Sequence, residues 1–483
     1  MNVLKTIRAL ICSLAIMAMA ACTSEEKFET AQGDVLVFSV DTLRMDTVIA
    51  GTSSVTRGFT IYNHNSDGVS IVAVGFKDGK SNGFRANVDG TNVGGTLTTS
   101  IDCRKDDSLL VFVEMTPEVT DTDDKVLHEA TLQFTLANGT TQGVVLQAYS
   151  QNVIWLRDVH ITQDTTLVAQ RPYVIAGGLT VDEGATLTLA AGVRLLFQSN
   201  ASMLVEGTLI SDGTLLHPVV LRGDRMDMMF ENQPYDRVSN QWGGVRLSST
   251  SYGNRLTYTD IHSGSYGIRC DSSDVYREKL RLVNSVIHNV GGHCLEAVSS
   301  KLWVGNSQIT NAGGHCVSLI GGDAQFVHCT IGQFYPFDGM RGAALAFTNE
   351  QSGRAYPLLG AFFYNCIVTG YSEDEVAGEQ SETFADANFN YGFYNCLLNT
   401  PEIKDDPQVV GNVWDVTANK LHREGNFPGF NLDWLVFDFH LDSLSLARGA
   451  ADIGITQQYY LQDRDGVDRL SDGTADAGCY EYR

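Results

Sequence analysis

From its sequence the chain is expected to be all-β, an Ig-like antiparallel β-sandwich followed by a solenoid of short parallel strands. Three observations carry that expectation. Between residues 33 and 152, short runs rich in β-branched and aromatic residues alternate with Asn, Asp and Gly clusters, the pattern of strands joined by tight turns. From about residue 160 the chain becomes self-similar. Asn284-Ser285-Val286-Ile287 returns as Asn306-Ser307-Gln308-Ile309 and again as His328-Cys329-Thr330-Ile331, each time after 22 residues. Neither part shows the 3.6-residue apolar period of an amphipathic helix.

The first 21 residues form a processing segment. Lys5 and Arg8 give a positive start, Ala9 to Ala21 is apolar, and small residues lead into Cys22; this is a secretory signal by charge and length. The run Ala18-Met19-Ala20-Ala21-Cys22 resembles a bacterial lipobox. The resemblance implies that Cys22 becomes the mature N-terminus and carries acyl chains such as palmitate, which together anchor a protein stably to a membrane. Thr23-Ser24-Glu25-Glu26-Lys27 resembles the surface-export tag of Bacteroidota lipoproteins, which implies the outer face of the outer membrane. An ordinary cleaved signal and a solvated linker are the plainer alternatives. Residues 22–32 are thus read as anchor and linker. No other stretch approaches the 18 apolar residues of a spanning helix.

Residues 33–152 contain Val35-Leu36-Val37-Phe38, Gly58-Phe59-Thr60-Ile61-Tyr62, Ser70-Ile71-Val72-Ala73-Val74 and Leu109-Leu110-Val111-Phe112-Val113. Asn63-His64-Asn65-Ser66-Asp67-Gly68 and Asp78-Gly79 supply turns between them. Strands at this spacing make a sandwich of Ig-like size. No catalytic grouping appears in it, so a spacer or docking module is expected.

The repeats continue beyond the clearest coils. Gly291-Gly292-His293-Cys294 returns as Gly313-Gly314-His315-Cys316, and Leu282, Val304 and Phe326 share the same step. Asn365-Cys366-Ile367-Val368 and Asn395-Cys396-Leu397-Leu398 keep the motif 30 residues apart. A fixed period of this size means stacked coils that bury their faces against one another. The passages GGLTVDEGATLTLAAGVRLLFQSNASMLVEGTL and QWGGVRL, the NS/NC-x-I coils and the ending DRDGVDRLSDGTADAGCYEY resemble bacterial lipoproteins with right-handed parallel β-helix repeats. The resemblance covers roughly residues 160–483 and implies a right-handed parallel β-helix with a C-terminal cap. Coil alignment places Cys294 and Cys316 in one rank, and Cys329, Cys366 and Cys396 in another. Interior thiol ladders are therefore expected in preference to disulfides.

Removing Lys5 and Arg8 from the 33 basic residues leaves 31 against 57 acidic, a net charge near −26. Such a balance opposes nucleic acid as a partner. His293 and His315 beside their cysteines suggest zinc, but neighbouring residues of a strand point in opposite directions. Acidic residues (Asp224, Asp227, Asp236, Asp260, Asp271, Asp274) and Arg222, Arg225 and Arg269 are scattered. Arg222-Gly223-Asp224 is an integrin-type tripeptide of the kind that recurs by chance. Asp463, Asp465 and Asp468 have the alternation of a calcium loop without its bidentate Glu; a structural turn is favoured, and no other cofactor is expected. The loop from Met226 to Asn240 carries Met226, Met228, Met229, Phe230 and Tyr235, a concentration of apolar surface that suggests partner contact or a flap over the coils. The acidic loop from Tyr371 to Asn390 is expected to be a solvated excursion in preference to a cation site, and Phe334-Tyr335-Pro336-Phe337, with Tyr356 nearby, to take a core or corner role in preference to stacking sugar rings. Whether residues 414–439 form a further coil or a capping loop stays open.

These readings predict a surface-exposed outer-membrane lipoprotein that acts as a non-enzymatic scaffold or binding protein, as an accessory subunit of an outer-membrane protein complex, with protein or glycan as partner. The alternative is a parallel β-helix polysaccharide lyase or glycoside hydrolase in glycan uptake. Three or more acidic side chains converging within about 5 Å on one coil face would favour it.

Overall fold

The computed structural model describes residues 27–93, 97–415 and 425–483. Cys22 and the processing segment lie outside the described residues. The chain divides into two compact units, residues 1–152 and 153–483.

The first unit is a sandwich of two five-stranded sheets. One sheet has the spatial order Val37–Phe38, Arg57–Tyr62, Ser108–Met115, Phe84–Val88 and Thr91–Val93. The other runs Thr42–Ile49, Thr141–Gln151, Val126–Leu136, Val69–Phe76 and Leu97–Cys103. Strict alternation of exposed and buried positions along Ser108–Val113 sends Leu109, Val111 and Val113 into a core shared with Phe59, Ile61, Leu132, Phe134, Val144 and Leu146. The turn read at residues 63–68 is held by Asn63, which is fully buried. Its Nδ2 donates to the carbonyls of Asp67, Cys103 and Arg104 at 2.9–3.0 Å. One pairing departs from the expected antiparallel pattern: Thr42–Ile49 lies parallel to Thr141–Gln151. These two strands are far apart in sequence, so no hairpin turn dictates their relative direction.

The second unit is a parallel β-helix with three ladders. A representative coil passes through Leu295–Val298, Lys301–Gly305 and Gln308–Ala312, and the next through Val317–Ile320, Gly322–Val327 and Thr330–Gln333. Each strand pairs in parallel with its equivalent one coil on. The solenoid begins upstream of the expected residue 160, because Ile154–Ile161 already pairs in parallel with Tyr173–Val181. Alternation fills the bore: Ile261, Ile287, Ile309, Ile331, Val368 and Leu398 follow one another in register and are fully buried. On another ladder the rings of Phe326, Phe363 and Phe393 stack at centroid separations of 4.8 and 5.0 Å.

The NS/NC motif has a physical reason. Between the second and third strands of successive coils the chain turns through Asn284, Asn306, His328, Asn365 and Asn395, all in the left-handed region with φ between 50° and 54°. Asn enters that region more readily than most residues because its short amide bonds locally. The next residue points into the bore, and its amide has to find an acceptor away from water. The neighbouring coil supplies one from a side chain. The Thr259 N–H donates to Ser285 Oγ at 3.0 Å and that of Ser285 to Ser307 Oγ at 3.1 Å. Cys329 and Cys366 donate to the sulfurs of Cys366 and Cys396 at 3.4 and 3.3 Å, and Cys396 to Asn412 Oδ1 at 2.8 Å. A small side chain with an acceptor atom is what the position needs, hence Ser or Cys.

Cys103, Cys270, Cys294, Cys316, Cys329, Cys366, Cys396 and Cys479 are all free and buried. Burial pushes the Cys270 and Cys479 thiols up to about 12 and those of Cys294 and Cys366 well above their ordinary value. A thiolate is the reactive form, so these thiols are inert packing groups.

The expected end cap is instead a lateral strap. After Val413–Trp414, the last rung, residues 425–483 run along the flank across several coils. Arg469, buried, donates from Nη2 to Asn306 Oδ1 at 2.7 Å and from Nη1 to Glu481 Oε2 at 3.0 Å. Asp452 caps the short helix Ile453–Tyr459, and its backbone N–H donates to Asn365 Oδ1 at 2.9 Å. His328 Nε2 meets Thr456 Oγ1 at 2.9 Å, and Tyr480 OH donates to Gln308 Oε1 at 2.9 Å. Outward-facing Ile367 and Leu397 pack with Phe427, Phe439, Leu441 and Tyr480 of the strap. The apolar residues of that outer face explain the departure, since they need cover along the flank and not at the end.

This packing can be checked in two ways. Ellman's reagent leaves all eight body thiols unmodified in the native protein and modifies all eight in denaturant; prompt native reaction of any one contradicts its burial. Phe363→Ala opens a cavity in the aromatic stack and lowers unfolding free energy by about 3–5 kcal/mol, read from chemical denaturation.

Candidate functional site

The third ladder places titratable side chains outward on successive coils. Arg222 lies at the end of Val219–Gly223, Asp260 and His262 on Thr259–His262, and His288 on Val286–Val290. Register sets His262 directly opposite His288, and their rings stack at 4.8 Å. The loop from Met226 to Asn240 folds back over this face and adds Asp236 from a single 3-10 turn, Tyr235–Arg237.

The result is a chain of ion pairs. Arg222 Nη1 meets Asp236 Oδ1 at 2.5 Å, and His262 Nε2 meets the same oxygen at 2.8 Å. His262 Nδ1 reaches Asp260 Oδ1 at 2.7 Å, which His288 Nε2 approaches at 3.4 Å. Burial alone would discharge His262, but the Asp260 and Asp236 carboxylates on its two nitrogens outweigh it and push its pKa up to about 9. Burial likewise opposes ionisation of Asp236 and Asp260. Hydrogen bonds and charge from His262, with Arg222 beside Asp236 and His288 beside Asp260, hold both below the usual carboxylate range. At neutral pH the set is an imidazolium between two carboxylates.

Among the described residues, the one group of three or more His, Cys, Asp or Glu whose ligand atoms lie within 4.8 Å of one another is Asp260, His262 and His288. It contains a single carboxylate, and both nitrogens of His262 are committed to protons. A metal ion would have to displace a proton between two anions with Arg222 alongside, so the donor set suits an ion-pair latch better than a metal centre. Nor does it supply a glycosidase pair, which needs one carboxyl kept protonated near neutral pH.

The other expected residues fall into separate settings. Arg225 pairs with Asp227 at 2.5 Å, Arg246 with Asp271 at 2.9 Å and Arg269 with Glu296 at 3.1 Å. Asp274 accepts from the Tyr276 amide. Burial pushes the Asp224 carboxyl up, and Gln198 opposes that. Arg222 of the Arg-Gly-Asp tripeptide is itself buried. His293 and His315 stack at 5.3 Å, while Cys294 and Cys316 turn into the bore and donate to Thr310 and Gly332 carbonyls. Asp463, Asp465 and Asp468 do not converge. Asp463 accepts the amides of Asp465, Val467 and Glu481, Asp465 pairs with His440 and Arg483, and Asp468 accepts from Leu470. The calcium-like spacing is thus a turn whose carboxylates are spent on the backbone and on ion pairs.

The loop of Met226, Met228, Met229, Phe230 and Tyr235 is mostly a flap. Met226, Met228 and Met229 are half-buried, and Tyr235 lies under the Arg225 guanidinium at 3.9 Å. Ser239 meets Tyr335 OH at 2.6 Å, and Arg237 Nη1 donates to the Trp434 carbonyl at 2.6 Å. Phe230 alone of the five stands well out, 63% exposed, on the hairpin Met228–Phe230 and Gln233–Pro234. In the acidic loop Glu375 is buried and accepts the amides of Ala344 and Ser372 at 2.7 Å, a structural anchor that the run of acids concealed. Phe334 and Tyr335 are core residues, whereas Phe337 is exposed and does not serve the core. Sequence reasoning missed His262 and His288, although Asp260-Ile261-His262 and Val286-Ile287-His288 carry the same apolar station of the coil.

No family model matches the sequence. A stretch of 114 residues is 29% identical to the Drosophila melanogaster protein bark beetle, covering 23% of this chain and 4% of that protein, so the chain spans a small fraction of that relative's length. Among solved structures, the catalytic unit of a GH87 α-1,3-glucanase from Streptomyces thermodiastaticus matches at 10% identity over 70% of this chain and 74% of its own, with a TM-score of 0.27. A PapD-like domain of human CEP192 matches at 10% identity over 27% of this chain and 93% of its own, TM-score 0.17. A family 123 glycoside hydrolase from Clostridium perfringens matches at 8% identity over 24% of this chain and 26% of its own, TM-score 0.17. At these scores none carries an argument about activity.

The latch has a pH window with a definite sign. Because the folded pKa of His262 is raised, its contribution is complete below about pH 6.5 and lost as pH rises through about 9. The lowered carboxylates contribute above the usual carboxylate range and lose their effect as pH falls through their folded values. Denaturation at pH 7 and pH 10 should show wild type losing on the order of 3 kcal/mol more than His262→Gln across that interval. Equal losses in the two proteins would mean that His262 is not the charged bridge.

Proposed function

We propose that the protein is a surface-exposed outer-membrane lipoprotein, anchored through Cys22, that works as a non-enzymatic scaffold or binding subunit of an outer-membrane protein complex. The observation that carries this reading is the latch formed by Arg222, Asp236, His262 and Asp260. It commits Arg222, Asp236, His262 and Asp260 to one another and fastens the loop that presents Phe230. Both carboxylates are held ionised, whereas a hydrolase site of this type would set one of them aside as an acid.

A largely exposed Phe230 beside half-buried Met229 gives an apolar tip in a strongly acidic chain. Buried aromatic anchors dominate many interfaces, and a partner pocket that accepts Phe230 would use the hairpin as its contact point. The net charge of −24 favours a partner surface that is neutral or basic.

The test is affinity purification from detergent-solubilised outer membranes with a tag after Arg483, on cells fed an alkyne palmitate analogue. The expected result is an acylated protein that recovers a stoichiometric β-barrel or lipoprotein partner. Cys22→Ser should lose the label, and Phe230→Ser should keep it while recovering at least about tenfold less partner. An unlabelled wild-type protein, or a labelled one that purifies alone, contradicts the proposal.

A further inference from the structure

The ten-stranded ladder ends in a pocket that the latch does not touch. Phe363 and Phe393 fill the bore here, so the alternate residues Gly360, Phe362 and Tyr364 of Leu358–Tyr364 face outward. On the next coil, Gly392 lies opposite Phe362 and Tyr394 opposite Tyr364. The two glycines have a steric reason. A Cβ at Gly360 would stand 2.6 Å from Phe362 Cε2. One at Gly392 would stand 3.0 Å from Phe362 Cδ1 and 2.8 Å from Tyr394 Cε2. The Phe362 ring therefore rests across two backbone segments in space that any larger residue would occupy.

Beside this ring is a cavity of about 290 Å³ lined by Phe362, Phe389, Asn390, Tyr391, Asp406 and Gln408. Its rim is polar and partly fixed. Tyr391 OH donates to Asp406 Oδ2 at 2.8 Å, the Gln408 amide donates to Asp406 Oδ1 at 2.9 Å, and Tyr394 OH donates to Gln408 Oε1. Asn390 Nδ2 donates to the Leu359 carbonyl at 3.2 Å. Asn390 Oδ1 and Gln408 Nε2 lie outside these bonds, on two exposed residues. The structure thus brings together one supported aromatic ring, one carboxylate held in place by two donors, and a side-chain amide acceptor and a side-chain amide donor in one pocket.

That combination fits a pyranose ring. One face of a pyranose is a patch of C–H groups that lies on an aromatic plane, and its hydroxyls radiate as both donors and acceptors. A few placed polar groups around an aromatic floor are what fixes such a ligand. The volume is that of a small site, roughly 300 Å³, suited to one sugar unit of a chain. Asp406 at the rim and the net charge of −24 exclude sugars bearing carboxylates by repulsion.

We propose that this pocket is a subsite for neutral saccharides, in which one pyranose face lies against Phe362 and its hydroxyls bond to Asn390, Asp406 and Gln408. The inference stands apart from the anchor at Cys22 and from the Phe230 hairpin, so either can fail without the other.

The test is saturation-transfer NMR and calorimetry on the mature protein with neutral gluco-, manno- and xylo-tetraoses, and with tetragalacturonate and an aromatic tetrapeptide as contrasts. At least one neutral tetraose should bind saturably. Phe362→Ala should weaken it about tenfold or more, and the exposed rim change Gln408→Ala several-fold with unchanged thermal unfolding. Absence of saturable binding by every neutral tetraose overturns the proposal. So does binding that Phe362→Ala and Gln408→Ala leave intact, or a preference for tetragalacturonate or the peptide.

Discussion

From Asn284 to Cys396 the coils of the second unit turn sharply without leaving an amide stranded in a dry bore, and the stacked left-handed turns meet that demand. An Asn or His takes the positive φ, and the following Ser or Cys accepts the inward amide of the coil beneath it. An unpaired buried amide costs about 1–3 kcal/mol, and the position recurs on successive coils, so the motif is required repeatedly. The same turns serve the outside. Asn306, His328 and Asn365 receive Arg469, Thr456 and Asp452 of the strap, which ties residues distant in sequence to the coil stack.

The repeat is legible in the sequence where no loop interrupts it. Residues 284–331 keep a constant 22-residue step because three strands and three short turns complete one circuit there. The ranks of cysteine follow from the same arithmetic, and the structure adds the reason for sulfur or oxygen at that station. The longer spacings after Thr330 reflect loops inserted between strands, such as residues 334–344 and 380–388, which alter the count and leave the stacking unchanged.

Other features are opaque in the sequence for definite reasons. The latch joins Arg222, Asp236, His262 and Asp260 from two strands and a loop, and a coil lengthened by residues 226–240 hides their shared level. An end cap is the natural expectation for the C-terminal segment, because an open solenoid end exposes unpaired backbone. What draws the strap sideways is the apolar pair Ile367 and Leu397 on an outer face, a signal visible only once the strand faces are assigned. The parallel strand in the sandwich likewise depends on which strands become neighbours, and local propensity does not encode that. Phe362 shows the same limit from another side, since Gly360 and Gly392 acquire their meaning only after the coils are aligned.

The fold of the second unit depends on the inward amides of the turn stack. Residue-resolved hydrogen exchange at Ser285, Cys329, Cys366 and Cys396 measures them directly. If the side-chain acceptors hold the turns, these amides exchange only through global unfolding, orders of magnitude slower than at the exposed loop positions Glu382 and Asp386. Exchange at those four amides as fast as in the loops would show that the acceptors do not hold the turns, and would contradict the dependence of the fold on them.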